Sequence, residues 1–189
     1  MTKKISETKP VTEFINIATE FCLLLEEREK KDGVRLLQEA FIILPQLCLG
    51  AMLLPEIKRF SDYDVPILPY EKRKELFDSL QSKFKGSDVY RFVYDPFDAD
   101  DESITSSVSD DLADIYIDIK PGLNEWDTVS STDRLMIIWE WWFLFGAHWG
   151  HHANRVLPVL YSLLYEHLED QNGDYVGMRN VSSDNVKFS

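Results

Sequence analysis

Apolar residues recur at three- and four-residue intervals through the first third of the chain. Between residues 11 and 31 this spacing predicts an amphipathic helix, followed by an Asp-Gly stop signal. Residues 34–54 are apolar on most sides, which predicts a well-buried second helix, and Pro45 inside it predicts a kink because proline lacks the amide proton. A proline-rich loop then leads to a short charged helix over residues 70–84.

The pattern changes after this third helix. Residues 90–94 alternate and favour an extended strand, but no second convincing strand follows for them to pair with. They predict extended chain that crosses the bundle or, at most, one arm of a small hairpin. Residues 95–102 form an acidic turn that lacks the glycine and the final glutamate of an EF-hand loop, so calcium binding is not expected. The serine- and threonine-rich segment up to Val108 is expected to be loop.

An aspartate-rich helix is predicted from Ser109 to about Lys120. Ser109 is a favourable N-cap, and Asp110 and Asp111 place negative charge in the first turn, where the helix dipole favours it. Alternating isoleucines in the same stretch would also suit a strand, but the cap and the first-turn acids favour the helix. Pro121, followed by glycine, is expected to weaken or end it.

Residues 131–168 hold four of the five tryptophans and all four histidines. They predict a central helix capped by the serine or threonine at its start. Its aromatic residues lie on every side, so other chain segments are expected to surround it. A straight helix of this length would measure about 55 Å, which is long for such a domain, so a bend is expected at Gly146, Gly150 or Pro158.

Together these elements predict an all-α fold. The expected architecture is a single-domain bundle of about five helices around the tryptophan-rich central helix, with one short extended segment. The chain has 189 residues and is 44% hydrophobic, which suffices for one sizeable core. Residues 1–170 are assigned to the bundle. Residues 171–189 are polar and are expected to form a C-terminal tail that packs loosely or is disordered.

The net charge limits the kinds of molecule that the chain is expected to bind. A net charge of -13 argues against nucleic acid and against an anionic membrane, because both attract a basic surface. The longest apolar run, residues 136–149, is interrupted by Glu140 and His148 and is too short for a bilayer span. Cys22 and Cys48 lie in apolar helical surroundings without a CxxC spacing, as in a reducing compartment. With no signal peptide visible, we expect a cytoplasmic protein.

Five polar residues of the predicted central helix lie within about a third of its circumference at ~100° per residue. They are Glu140, His148, His151, His152 and Arg155. His148 and His152 are four residues apart, the spacing at which two imidazoles on one face reach a single metal ion. Glu140 could orient a ring nitrogen or add a ligand. Carboxylates of the aspartate-rich helix could complete the site, since helical bundles build metal centres from facing helices.

The aspartate-rich helix supplies few carboxylates for such a site. Its apolar side and the side that carries Asp110, Asp114 and Asp118 are centred about 135° apart, which is typical of a solvated acidic face. Only Asp111 and Asp118 border the buried stripe. A divalent metal would therefore be held by His148 and His152 with Asp111, Asp118 or Glu140. The alternative is a structural network of hydrogen bonds formed by His148, His151, His152, Arg155 and Asp114.

Four motifs occur in the order in which a known family has them. They are Phe21-Cys22 with the leucines that follow, Leu44-Pro45 to Leu54-Pro55, the run from Ser109 to Tyr116, and His148-Trp149-Gly150 with His152. The chain resembles the bacterial family catalogued as domain of unknown function 5063. The resemblance implies an all-helical cytosolic protein without an established activity, and no catalytic residue can be carried over. It also implies a longer helix around Pro121 than the proline itself suggests.

Three functions are compatible with these observations. The preferred one is a non-enzymatic accessory or protein-interaction domain whose acidic surface meets a partner protein, because no catalytic motif is present. The second is a metal-binding protein or metal-dependent enzyme that uses His148 and His152. The third is small-molecule binding in an aromatic pocket lined by Trp139, Trp141, Tyr94 and Tyr116. No serine or cysteine lies in a nucleophile motif, so a hydrolytic triad is not expected.

Overall fold

The computed structural model describes residues 5–95, 97, 100 and 102–165. In chain order its helices and strands are α1 (Lys9–Glu26), α2 (Gly33–Met52), α3 (Tyr70–Phe84), β1 (Val89–Val93), β2 (Ser103–Ser107), α4 (Val108–Glu125), α5 (Ser131–Ala147) and α6 (Trp149–Tyr165). The described chain is mostly helical, and the all-α prediction is confirmed. The tail predicted at 171–189 and part of the acidic turn at 95–102 lie outside the described residues.

The first three helices lie where the apolar spacing predicts them. α1 is followed by a short 3-10 turn, Arg28–Lys30, which completes the stretch predicted as one helix. α2 begins after Asp32, whose carboxylate accepts the backbone N–H of Arg35 at 2.8 Å and thereby caps the helix. Pro45 lies inside α2. Local spacing and capping therefore suffice to place these helices.

α1 and α2 pack against each other, and α2 also contacts α6. The largest fully buried side chains of α1 and α2 are Phe14, Phe21, Leu25, Leu36, Leu44 and Leu47. Among the described helices, α2 alone is long and apolar enough to cross a bilayer. Core helices of folded domains meet the same criterion, and α2 buries seven of its residues within the bundle.

The extended segment is one strand of an antiparallel hairpin. β1 pairs with β2 from Val89 opposite Ser107 to Val93 opposite Ser103. The prediction that the serine- and threonine-rich segment is loop is therefore wrong for residues 103–107. The side chains of β2 are mostly exposed. This strand therefore lacks the alternation of buried apolar residues by which a strand is recognised in a sequence.

α4 begins earlier than predicted. Its N-cap is Ser107, whose hydroxyl accepts the N–H of Asp110 at 3.2 Å. Ser109, the predicted cap, instead donates its N–H and its hydroxyl to the carboxylate of Asp88, at 2.8 and 2.7 Å. Both serines suit the capping position by residue type, and the position of Asp88 beside β1 decides between them.

α4 also ends later than predicted, because it continues past Pro121 to Glu125. Gly122 lies directly beneath Trp141 of α5, where an added Cβ would be 2.6 Å from the indole nitrogen. The same nitrogen donates to the carbonyl of Ile119 at 3.1 Å. This contact stabilises the second half of α4 and offsets the hydrogen bond that the proline cannot make.

α5 and α6 replace the single central helix that was predicted. Ser130 caps α5, one residue earlier than expected. The helix breaks at His148, between the two glycines named as bend positions, whereas Pro158 lies inside α6. A Cβ on Gly150 would lie 2.0 Å from the carbonyl oxygen of Phe145, so the passage from α5 to α6 requires glycine there.

The tryptophan-rich segment is enclosed only in part. Trp141 and Trp149 are 1% and 0% exposed, and Phe14 of α1 packs against both rings. Trp142 and Phe143 are 39% and 46% exposed. The expectation that other segments surround this stretch on every side is therefore wrong for α5. The buried indoles of Trp141 and Trp149 do join the core.

Candidate metal centre

α4 and α6 pack against each other, and the break at His148 brings a second histidine to the same contact. One ligand atom from each of Asp114, His148 and His152 lies within 4.8 Å of those of the other two. Nε2 of His152 is 3.6 Å from Oδ2 of Asp114, and the two imidazole centroids are 4.7 Å apart. We call these three side chains the Asp-His-His cluster.

His148 is oriented by Asp118. Its Nδ1 lies 2.7 Å from Oδ2 of Asp118, so a ring protonated on Nδ1 donates to the carboxylate and leaves the lone pair of Nε2 free. Burial raises the pKa of Asp118, and the hydrogen bond from His148 opposes that rise. The side chain of His148 is 44% exposed, so solvent reaches this side of the cluster.

His152 is buried, and its Nδ1 has two neighbours. Oδ1 of Asp111 lies 2.9 Å from that nitrogen, and Nη2 of Arg155 lies 2.8 Å from it. A carboxylate accepts and a guanidinium only donates, so the two contacts suit different tautomers of the ring. When Nδ1 is protonated it donates to Asp111, and Nε2 is then free to bind a metal beside Asp114.

Asp114 is held by an arginine of α3. Nε of Arg73 donates to Oδ1 of Asp114 at 2.6 Å, and its Nη2 donates to Asp110 at 2.7 Å. The hydrogen bond to Asp114 is the main cause of a raised pKa for Arg73. Asp114 is only 7% exposed, so its assignment to a solvated face is wrong. The helical periodicity of α4 cannot show that α3 covers the acidic side.

Asp111 is fully buried beneath the hairpin and accepts from three side chains. The donors are the hydroxyl of Tyr90, Nε of Arg155 at 2.6 Å and, in one tautomer, Nδ1 of His152. Burial, and next the hydrogen bond to Asp111, raise the pKa of Tyr90, so the hydroxyl stays protonated. The guanidinium of Arg155 also lies 4.7 Å from the ring centroid of Phe92. The hairpin thereby covers one side of the site.

Two residues of the predicted patch lie apart from the cluster. His151 is exposed and stacks on Tyr94 with 6.5 Å between centroids, so it does not join the predicted polar network. Glu140 contributes no ligand atom to the cluster, and burial raises the pKa of its carboxyl while nearby Arg59 opposes the rise. The break at His148 explains the separation of Glu140, because one helical wheel does not apply to two helices.

Arg73 and Tyr90 complete the surroundings of the site, and neither was among the residues predicted for it. Arg73 is 41 residues from Asp114 in the chain, and Tyr90 is 21 residues from Asp111. An arginine in a charged helix and a tyrosine in an extended segment are common, so no local signal marks them. Buried carboxylates do require donors from elsewhere in the fold, but this requirement does not say which residues supply them.

The aromatic pocket predicted from the sequence does not form as expected. A groove of about 370 Å³ between β1 and α6 does include Tyr94. Trp139, Trp141 and Tyr116 do not line it: Trp141 lies in the core, Tyr116 donates to a glutamate of α1, and Trp139 stacks on another residue of α5. This groove therefore contains one of the four residues predicted to line a small-molecule pocket.

Comparison with known proteins gives a family and a fold. The family model described as "Domain of unknown function (DUF5063)" matches residues 5–166, which include the whole site. The crystal structure of protein BF1032 from Bacteroides fragilis is similar, with a TM-score of 0.76 and 26% sequence identity. The match covers 86% of this chain and 96% of that chain. No curated protein matches the chain.

Proposed function

Because the chain belongs to the family described as domain of unknown function 5063, whose description names no activity, we propose a function from the site itself. The protein binds one divalent transition-metal ion through Asp114, His148 and His152. The convergence of their three ligand atoms within 4.8 Å carries the proposal. Nδ1 of His148 lies 2.7 Å from a carboxylate oxygen and Nδ1 of His152 lies 2.9 Å from another, and a carboxylate on one ring nitrogen is a general feature of metal-binding histidines.

The distances suit a metal ion. Nitrogen and oxygen ligands of zinc lie at about 2.0–2.2 Å from the ion, and so stand roughly 3.0–3.5 Å from each other. The His152–Asp114 pair, at 3.6 Å, is already close to this separation. The other ligand atoms lie at most 4.8 Å apart, and side-chain shifts of about 1 Å would bring them to the separation found around a bound ion. Arg73 fixes Asp114 from the opposite side, so the ligand carboxylate is oriented before the ion binds.

Three protein ligands leave at least one coordination position open. Two imidazoles and one carboxylate suit Zn²⁺, Fe²⁺ and neighbouring ions of the first transition series. His148 is partly exposed, so we expect the open position on the solvent side, where water or an oxygen of a substrate would be the next ligand. A bound ion would act there as a Lewis acid.

Metal analysis of protein purified without a histidine tag tests the proposal. We expect about one transition-metal ion per chain in the wild type. His148→Ala and Asp114→Asn should each weaken binding at least ~100-fold, because each removes one of three ligands. Titration with Co²⁺, followed by visible absorption, reports the ligand field directly and does not depend on any enzymatic activity.

His151→Ala is the matched control, since it removes an imidazole that stacks on Tyr94 and lies outside the cluster. This variant should bind metal as the wild type does. Circular dichroism first establishes that each variant is folded. Equal metal content in the wild type and in a His148→Ala/His152→Ala double variant would contradict the proposal, and would leave a structural hydrogen-bond network as the role of these residues.

The accessory or interaction function stays a prediction. It is supported by the net charge of -13 and by the exposed aromatic side chains of Trp142 and Phe143. A metal centre and a partner surface are compatible in one protein. The cytoplasmic location, and the exclusion of nucleic acid and membrane as partners, stay predictions as well.

A further inference from the structure

A groove beside the metal site runs between the hairpin and α6. Its two parts, of about 370 and 560 Å³, meet at Phe92 and Arg155, which line both. β1 forms one wall. The residues that α6 places along the other wall include His151, Asn154, Arg155, Pro158 and Ser162. Steps of three or four residues, from His151 to the adjacent pair Asn154 and Arg155 and then to Pro158 and Ser162, define one continuous stripe of the helix.

The wall formed by β1 is a free strand edge. Within the described chain the sheet has two strands, so β1 has a neighbouring strand on one edge only. No residue of β2 lines either part of the groove, which therefore lies on the side of β1 that faces away from β2. Backbone N–H and C=O groups along such an edge can pair with another extended chain.

The two walls have matching lengths. From Val89 to Tyr94 an extended chain measures about 17 Å at ~3.3 Å per residue. From His151 to Ser162 a helix also measures about 17 Å at ~1.5 Å per residue. Tyr94 and His151 line one part of the groove, and Val89 and Ser162 line the other. The groove thus has the dimensions of an extended peptide of about five residues.

The charge of the groove differs from that of the whole chain. Arg91 and His151 line it together with Arg155, whose guanidinium is already paired with Asp111, and none of its described lining residues is acidic. The chain as a whole has a net charge of -13. An acidic segment is therefore attracted to this groove and repelled by most of the remaining surface, which favours one placement over others.

From the free edge, the matching walls and the local charge, we propose that this groove binds an acidic, extended segment of a partner protein as a third strand on β1. Main-chain hydrogen bonds to the edge supply affinity. Arg91 and the stripe of α6 select acidic side chains. The proposal does not depend on metal binding.

A synthetic peptide tests this placement with the full chain. The probe is a fluorescein-labelled peptide of three Val-Glu repeats, and its binding is followed by fluorescence anisotropy. We expect the Val-Glu peptide to bind saturably. A Val-Lys peptide should bind at least ~10-fold more weakly, because its charge is reversed. A Val-Glu peptide N-methylated at alternate residues should lose affinity by a similar factor. It lacks N–H groups that would pair with the backbone of β1. Absence of binding at millimolar peptide, or equal affinity for all three peptides, would overturn the proposal.

Two exposed residues provide variants with the same change of charge. Arg91→Glu lies in the groove, and Lys58→Glu lies outside its described lining. We expect Arg91→Glu to weaken binding about 10-fold and Lys58→Glu less than about twofold, since only the first reverses a charge beside the peptide. Equal losses would indicate long-range charge alone and overturn the proposal. A dimer in sedimentation analysis that Arg91→Glu dissociates would assign the edge to a second copy of the chain, and would overturn it too.

Discussion

Between α1 and α2 every buried side chain is apolar, whereas the contact between α4 and α6 buries two aspartates and a histidine. In the first contact Phe14 and Leu44 are fully enclosed without needing a specific partner. In the second, Asp111 and Asp114 are enclosed only because arginines and other donors reach them from three elements of the fold. The same bundle thus contains two buried contacts of opposite chemistry.

The difference shows which contact serves stability alone. Apolar burial stabilises the fold wherever it occurs, and it requires no particular atom opposite. Buried charges lose hydration, and apolar residues of similar volume often replace them without loss of stability. A polar arrangement with this many directed hydrogen bonds is therefore better explained by a binding role than by stability. The following substitutions test that contrast, from the largest expected effect to the smallest.

Asp111→Ala should have the largest effect on stability. It leaves the guanidinium of Arg155 and the ring of His152 without their common partner in a buried position, and we expect a loss of about 3–5 kcal/mol in the free energy of unfolding. Urea unfolding measures it. The control is Asp110→Ala, whose carboxylate is 35% exposed and should cost about 1 kcal/mol or less. Comparable losses in the two variants would remove the distinction between a buried network and a surface ion pair.

Leu44→Ala tests the apolar contact. Leu44 is fully buried, and the cavity left by the missing side chain should cost about 3 kcal/mol. Leu49→Ala, one turn further along α2 and 57% exposed, should change stability by about 0.5 kcal/mol or less. Metal content should be unchanged in both variants. Loss of metal in Leu44→Ala with the fold retained would show that the two contacts are coupled.

Two glycine substitutions should change the free energy of unfolding in opposite directions. A Cβ at Gly122 would lie 2.6–2.7 Å from ring atoms of Trp141, so Gly122→Ala should destabilise by about 1–3 kcal/mol through overpacking. Gly146 has nothing within 4 Å of the corresponding position, so Gly146→Ala should stabilise α5 by about 0.5–1 kcal/mol. Thermal unfolding of the two variants decides this, and a stabilising Gly122→Ala would contradict the close packing of α4 on α5.

Cys48 should have little electrostatic effect on stability at neutral pH, and its contribution should become visible only in alkali. Burial raises the pKa of its thiol to about 11 from an ordinary value of 9.0. Between pH 9 and 11 the unfolded chain therefore binds fewer protons than the folded chain, and stability falls as pH rises. Cys48→Ala removes this contribution, so the wild type should lose stability relative to the variant over that window. A difference that stays constant with pH would contradict the burial of the thiol.

The local sequence predicts the helices well for a physical reason. α1, α2 and α3 follow from apolar spacing and from a capping carboxylate three residues away from its donor, all of which are contacts within one or two turns. The same reasoning failed at Pro121, because Trp141 stabilises that part of α4 from another helix. It also failed at β2, because a strand of small polar residues is specified by its partner β1 rather than by its own pattern.

The candidate site shows the same division. His148 and His152 were recognised from their spacing, and Asp111 and Asp118 from their place beside the apolar stripe of α4. The structure puts these two carboxylates on the Nδ1 atoms of the imidazoles and puts Asp114 3.6 Å from Nε2 of His152. A helical wheel could not reveal this order, because it contains no information about the helix that packs on the acidic side.

The sequence by itself determined the all-α class, the positions of most helices and the identity of the histidines at the site, since each depends on neighbours within a few residues. Only the tertiary structure decided that the helix breaks at His148 and that Arg73 covers Asp114, and it leaves the edge of β1 beside α6 without a neighbouring strand among the described residues. The physical reason is that burial and ion pairing depend on which segments meet in space, and the residues that meet at the site are separated by up to 44 positions in the Asp111–Arg155 pair.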